Sequence, residues 1–208
     1  IVGRNVGEYF DVSRKTPIHD WHVKNKAKFE NVGQWKRAWF YPKENEGMHE
    51  AVQRESKAAR DSAGILDAST LGKIDIQGTD ASEFLNRVYT NAWSKLAIGK
   101  CRYGLMLNED GMVYDDGVTT RLDENHYIMT TTTGGAATVL GKLEDYLQTE
   151  WPELDVYLTS VTDHYATISV CGPNSKKIIS KVIPNLDLSD EKFPHMSFKN
   201  TKIDKVKC

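Results

Sequence analysis

The arrangement of hydrophobic and polar positions divides the chain into recognisable elements. Met48 to Ala63 is helical in composition, with Ala51, Val52, Ala58 and Ala59 set among charged positions, and Gly64 is a natural stop. LGKIDIQG, from Leu71 to Gly78, alternates and predicts a strand. Thr79 or Asp80 then caps a short amphipathic helix, ASEFLNRVYT, whose buried face carries Phe84, Leu85 and Val88. The stretch from Cys101 to Leu122 reads as two extended segments joined by a tight turn at Asp110-Gly111. HYIMTTTT, from His126 to Thr133, is a further β-branched strand. Gly134-Gly135 leads into a helix with Val139, Leu140, Leu143, Tyr146 and Leu147 on one stripe, ended at the latest by Pro152. DVYLTSVT and YATISV are two more strands with a turn at Asp163-His164, and Gly172-Pro173-Asn174 opens a last helix, SKKIISKVI. This order predicts the α+β class, with mixed, largely antiparallel sheets.

The first fifty residues break the pattern. Tyr9, Phe10, His19, Trp21, His22, Phe29, Trp35, Trp39, Phe40 and Tyr41 crowd into them without a helical or alternating period. This predicts an irregular aromatic-rich segment over 1–47, anchored on the domain or on a partner subunit, and a folded domain over 48–208.

Composition narrows the class of partner. The 27 Lys and Arg residues nearly balance the 29 Asp and Glu, so no global field recruits nucleic acid or an anionic membrane. There is no apolar run of transmembrane length and no signal-peptide pattern. Cys101, Cys171 and Cys208 are odd in number and far apart, which predicts free thiols in a reducing cytoplasm. Starting at Ile1 without an initiator Met, the chain reads as a piece of something longer or as a trimmed one.

Candidate chemistry concentrates at Asp115-Asp116. Asp is depleted in strands, and consecutive strand residues point to opposite faces, so one carboxylate of the pair points inward. An inward carboxylate is costly unless something pairs with it, and its natural roles are stabilising a developing cation or moving a proton. Pattern alone leaves open which of the two it is. His19 and His22 lack a third nearby metal ligand and predict a structural or interface role, with no metal. The threonine run from Thr130 to Thr133 before Gly134-Gly135 either caps the following helix or offers an anion its N-terminus. Trp93 and Trp151 read as packing residues.

Three ordered motifs carry a resemblance: GILDASTLGKIDIQGTDASEFLNRVYTN, then YGLMLNEDGMVYDDGV, then ATISVCGPNSKKII. They are similar to those of the folate-binding aminomethyltransferases, the glycine cleavage T-protein family. TPIHDWH, GQWKRAWFYP, FLNRVYTNAWSKL and DDGVTTRL extend the resemblance over essentially the whole chain to one branch, the α subunits of heterotetrameric sarcosine oxidases. The resemblance implies part of a T-protein-like folate-binding fold built from related βαβ-type subdomains. It implies tetrahydrofolate as cofactor, with flavins and NAD elsewhere in the parent complex, and as partners a flavin-carrying β subunit and further subunits. It selects Asp116 as the inward, catalytic carboxylate, facing the folate nitrogens, and assigns the folate pocket to Leu71, Tyr103, Asp116 and Thr132. Thr132 stands where many T-proteins carry Asn, and Met112 replaces the second Gly of a Gly-Gly turn. The Glu of a downstream TGE motif, which holds the pterin in the family, does not occur before Cys208, so the chain reads as about half of a folate site and as inactive alone. The implied activity of the parent is transfer of the one-carbon unit of oxidised sarcosine to tetrahydrofolate, giving 5,10-methylenetetrahydrofolate. A stand-alone aminomethyltransferase served by a lipoyl carrier, or a non-catalytic binding and interface module, are the alternatives.

Overall fold

A computed structural model describes residues 11–208, so Tyr9 and Phe10 lie outside the described residues. In chain order the first elements are β1 (Arg14–Lys15), α1 (His19–Lys24), β2 (Lys28–Val32), β3 (Trp35–Phe40), α2 (Met48–Asp61), β4 (Gly64–Asp67), β5 (Gly72–Gln77) and α3 (Ala81–Val88). Then follow β6 (Cys101–Leu107), β7 (Val113–Asp123), β8 (His126–Thr131), α4 (Ala136–Thr149), β9 (Tyr157–Ser160), β10 (Ile168–Cys171), α5 (Ser175–Val182), β11 (Lys202–Ile203) and β12 (Val206–Lys207). The chain divides into two compact units, one of the described residues up to Thr70 with Ala166–Gly172, the other of Leu71–Tyr165 with Pro173–Cys208.

The first unit corrects the expectation of an irregular segment over 1–47. Its described part holds α1 and a three-stranded sheet in the order β1-β3-β2. β2 and β3 form an antiparallel hairpin, but the register shifts between Lys28 and Phe29. That irregularity disturbs a strict two-residue period, so Trp35 and Phe40 are buried while Trp39 is half exposed. The boundary expected at 47/48 falls instead after Thr70, because α2 packs on β3 and on β4 and so joins both to one unit. β10 returns to this unit and pairs antiparallel with β4, from Asp67↔Ile168 to Gly64↔Cys171. The strands expected on either side of Asp163-His164 therefore join different sheets. Gly172 ends β10 at φ +102°, with Ala59 O only 2.4 Å from where a Cβ would stand, so no larger residue fits.

The second unit is an antiparallel five-stranded sheet in the order β6-β7-β8-β5-β9, as the alternating stretches predict. Ile74 and Ile76 of β5 pair with Met129 and Tyr127 of β8, and all four are buried on one face together with Met106. Phe84 and Leu85 of α3, and Val139 and Leu143 of α4, close this core, with Trp93 fully buried among them. Burying a side chain of this size stabilises by about 1.5–3 kcal/mol each, which is why the amphipathic stripes dock here. Asp80 precedes α3, but its carboxylate accepts the Asp155 backbone N–H at 2.9 Å rather than capping the helix, and Thr79 donates to Asp155 at 3.0 Å. The opposite face carries Tyr103, Leu105, Asp116 and Val118, none of them fully buried.

Candidate functional site

The β6–β7 hairpin turns through Asp110-Gly111, where Gly111 takes φ +80° and the Asp110 carboxylate accepts the Met112 backbone N–H at 3.2 Å. The ladder pairs Leu105 with Asp116 and Tyr103 with Val118, so Tyr103 and Asp116 are diagonal neighbours on one face. The Tyr103 hydroxyl donates to Asp116 Oδ2 at 2.8 Å. Tyr103 is 50% exposed, and this bond to a carboxylate, followed by burial and the nearby charge, pushes its phenol above the ordinary tyrosine value.

Asp115, not Asp116, is the inward carboxylate, contrary to what the resemblance implies: it points to the other face and is only 4% exposed. Its Oδ1 accepts the Thr132 hydroxyl at 2.6 Å, and its Oδ2 accepts the Thr132 backbone N–H at 3.3 Å. Burial pushes the Asp115 carboxyl above the ordinary carboxylate value, and the two bonds from Thr132 act against that. Tyr89, buried and bridged to Met106, has a hydroxyl with no hydrogen-bond partner among the described residues; burial, then the charges of Asp115 and Asp116, push its phenol up.

The residues assigned by resemblance thus fall into two groups. Tyr103 and Asp116 are brought into contact on the more open face. Thr132 is engaged with Asp115, its hydroxyl also accepting the Gly135 backbone N–H at 3.1 Å. Leu71 is half-buried immediately before β5, next to Gly72, which pairs with Thr131, so it comes to the same end of the sheet as Thr132. The Asp115–Thr132–Gly135 contact escaped the sequence reading. Its signal was the small residue at Gly135, where a Cβ would lie 2.6 Å from Asp115 Oδ1.

The histidines of the first unit form a separate polar cluster. His22 is buried between the Tyr41 hydroxyl at 2.6 Å and Asp67 Oδ2 at 2.8 Å. Burial raises Asp67, but bonds from His22 and Ser69 outweigh it and hold the carboxyl below its ordinary value. Both ring nitrogens of His22 are engaged within the protein, and no group of three metal-ligating side chains occurs among the described residues. No helix among them is long and apolar enough to cross a membrane.

Comparison with known proteins adds a family model described as the GCVT N-terminal domain, which matches residues 18–208. The chain is 57% identical over 204 residues to the sarcosine oxidase subunit alpha of Corynebacterium sp. (strain U-96), covering 98% of this chain and 21% of that protein. The corresponding subunit of Rhizobium meliloti (strain 1021) is 47% identical over the same share of each chain, 98% and 21%. An aminomethyltransferase of Listeria monocytogenes serotype 4a (strain HCC23) is 32% identical over 86% of this chain and 46% of its own. Among solved structures, the glycine cleavage system aminomethyltransferase T from Bartonella henselae superposes with a TM-score of 0.71 at 25% identity, over 81% of this chain and 43% of that one. The chain therefore spans about a fifth of the length of the sarcosine oxidase subunits it matches. Those relatives are named as enzyme subunits, and the structural match agrees with the α+β fold.

Proposed function

The chain belongs to the GCVT N-terminal domain family, and on that premise we propose that it forms one wall of a tetrahydrofolate site in a sarcosine oxidase α subunit. The observation that carries this reading is the Tyr103–Asp116 contact on the more open sheet face. The residues there fit a flat heterocycle with amine nitrogens. Tyr103 offers a half-exposed ring to lie against, Leu105, Val118 and Leu71 offer aliphatic surface, and Asp116 offers carboxylate oxygens to an N–H or a cation. Tetrahydrofolate supplies the nucleophilic nitrogens that accept a one-carbon unit.

The role of this chain's residues follows from electrostatics. Sarcosine oxidised at a flavin on a β subunit carries its former methyl group as an imine carbon. Tetrahydrofolate held there would supply the two nitrogens that take the place of the glycine nitrogen at that carbon, releasing glycine and giving 5,10-methylenetetrahydrofolate. Positive charge would develop at the transferring carbon–nitrogen unit, and Asp116 would stabilise it and take up a proton. A preoriented charge in a water-poor site lowers such a barrier by about 3–4 kcal/mol. Without the transfer, water attacks the same carbon and releases formaldehyde.

Far higher identity over nearly the whole chain favours this reading over a stand-alone aminomethyltransferase. The balanced charge fits a cytoplasmic hetero-oligomer without nucleic acid or membrane partners. The test is Asp116→Asn in the assembled full-length enzyme, with sarcosine oxidation, formaldehyde and methylenetetrahydrofolate measured together. Oxidation continues and product shifts to formaldehyde if the reading holds; an unchanged partition overturns it. Calorimetric titration of the 208-residue chain with tetrahydrofolate tests the half-site reading: tight binding would refute it, whereas little or none favours the interface module for the isolated chain.

A further inference from the structure

The segment that carries Asp116 sits at the edge of regular pairing in both of its ladders. On the β6 side the register shifts beside it: Met106 pairs with Asp115 but Leu107 pairs with Val113, leaving Tyr114 as an extra residue. On the β8 side regular pairing with β7 runs only as far as Thr119↔Met129. Beyond that, the Val118 backbone N–H is taken by the Thr130 hydroxyl rather than by a backbone carbonyl, at 2.9 Å. Asp115 and Asp116 thus lie where one ladder is bulged and the other has ended.

Besides its pairing with β6, the pair is held on the β8 side by the buried Asp115 carboxylate. It accepts both the hydroxyl and the backbone N–H of Thr132, and the Thr132 hydroxyl in turn accepts the Gly135 N–H. Three elements meet there: β7, the end of β8 and the start of α4. Gly135 leaves room for the contact, since a Cβ would lie 2.6 Å from Asp115 Oδ1 and 2.7 Å from Thr132 Oγ1. The single proton of the Thr132 hydroxyl is committed to Asp115, so it is not available to a ligand.

We propose that Asp115 and Thr132 are positioning residues for Asp116: the inward carboxylate of the pair is anchored at the start of α4 so that the adjacent carboxylate is held on the ligand-facing side beside Tyr103. This rests on the reading of Asp116 as the carboxylate of one-carbon transfer. It replaces the direct folate contact that the resemblance assigns to Thr132. Because consecutive strand side chains are rigidly opposed across the backbone, fixing one fixes the direction of the other. A displacement of about 1 Å at a reacting group is enough to lower a rate by a large factor.

The assembled full-length enzyme provides the test, in the variants Thr132→Val, Thr132→Ser, Gly135→Ala and Asp116→Asn. The readouts are the ratio of methylenetetrahydrofolate to formaldehyde at saturating tetrahydrofolate and the tetrahydrofolate concentration at half-saturation. The ratio is taken per oxidation event, so loss of folded enzyme does not change it. Thr132→Val is expected to lower the ratio roughly three- to tenfold, the scale of one lost hydrogen bond, while half-saturation stays within about twofold. Thr132→Ser keeps the hydroxyl and restores the ratio; Gly135→Ala, which crowds the same contact without removing it, lowers it. A wild-type ratio in both Thr132→Val and Gly135→Ala, with Asp116→Asn defective, overturns this inference alone. So does a Thr132→Val variant that changes half-saturation but not the ratio, the mark of a direct contact. A wild-type ratio in Asp116→Asn overturns the proposed function and this inference with it.

Discussion

Tyr103 donates its hydroxyl to Asp116 at 2.8 Å, across the diagonal of the β6–β7 ladder, and so places a phenol and a carboxylate together on the more open face of the sheet. The two residues are 13 apart in the chain. Only the hairpin through Gly111 brings them together.

That contact separates two contributions of Tyr103. On the proposed function, Tyr103→Phe keeps the ring and removes a donor that serves Asp116 rather than the ligand, so half-saturation by tetrahydrofolate is expected to rise no more than about threefold. Tyr103→Ala also removes the ring wall, and a rise of about tenfold or more is expected, since 1.4 kcal/mol is a factor of ten. Steady-state titration of the assembled enzyme measures both, and equal effects of the two variants would exclude a stacking role for the ring.

Asp115 gives a pH signature of stability. Burial raises its folded-state value above the ordinary 3.8, so in that window the folded state holds more protons than the unfolded one. The ionised carboxylate is therefore a burden that grows as pH rises from the unfolded value through the raised folded one, and is absent below both. Asp115→Asn keeps an acceptor for Thr132 and removes the buried charge. It is expected to match or exceed the parent in denaturant midpoint at pH 7, with any advantage fading as pH falls through the carboxylate range. Urea titrations between pH 3 and pH 8 measure this; a variant less stable at pH 7 than at pH 4, relative to the parent, contradicts the sign.

The His22–Asp67 pair acts in the opposite direction. Asp67 is held below its ordinary 3.8 in the fold, so its contribution is fully present above that value and is lost as pH falls through the lower folded one. Removing one partner leaves a buried polar group unmatched. His22→Ala is accordingly expected to cost about 3–5 kcal/mol in denaturant unfolding, and Tyr41→Phe, at the other ring nitrogen, about 1 kcal/mol. A double-mutant cycle over His22 and Asp67 should give a coupling well above that of an exposed pair; additive losses would mean that the pair is not a unit.

Gly117 follows Asp116 directly, and a Cβ there would stand 1.8 Å from the Thr130 carbonyl oxygen. Gly117→Ala must push β7 away from β8. A loss of about 1–3 kcal/mol is expected, and, on the proposed function, the one-carbon transfer ratio falls further than sarcosine oxidation. Circular dichroism melting and product analysis measure the two effects, and an unchanged melting temperature would show that the strands give way without strain.

Local pattern sufficed for the elements of the second unit. Ile74 and Ile76 alternate with polar neighbours and do face the core; Phe84 and Leu85, and Val139 and Leu143, recur at helical spacing and do pack on it. Each of these signals lies within a dozen residues, because side-chain direction is set by the backbone's own repeat. The first unit offered less. A register shift at Lys28/Phe29 disturbs the alternation there, and β4 is half of a ladder whose other strand, β10, arrives about a hundred residues later.

The same division runs through the candidate site. From its sequence alone the chain determined that Asp115 and Asp116 lie in a strand and point to opposite faces, because the strand repeat is two residues. It also determined, through ordered motifs, the family that the comparisons bear out. Only tertiary structure decided which carboxylate is buried. The bulge at Tyr114, the packing of α4 and the lack of a side chain at Gly135 turn Asp115 inward to Thr132, and leave Asp116 to Tyr103. No local period encodes that choice, since it depends on which helix covers which face of the sheet.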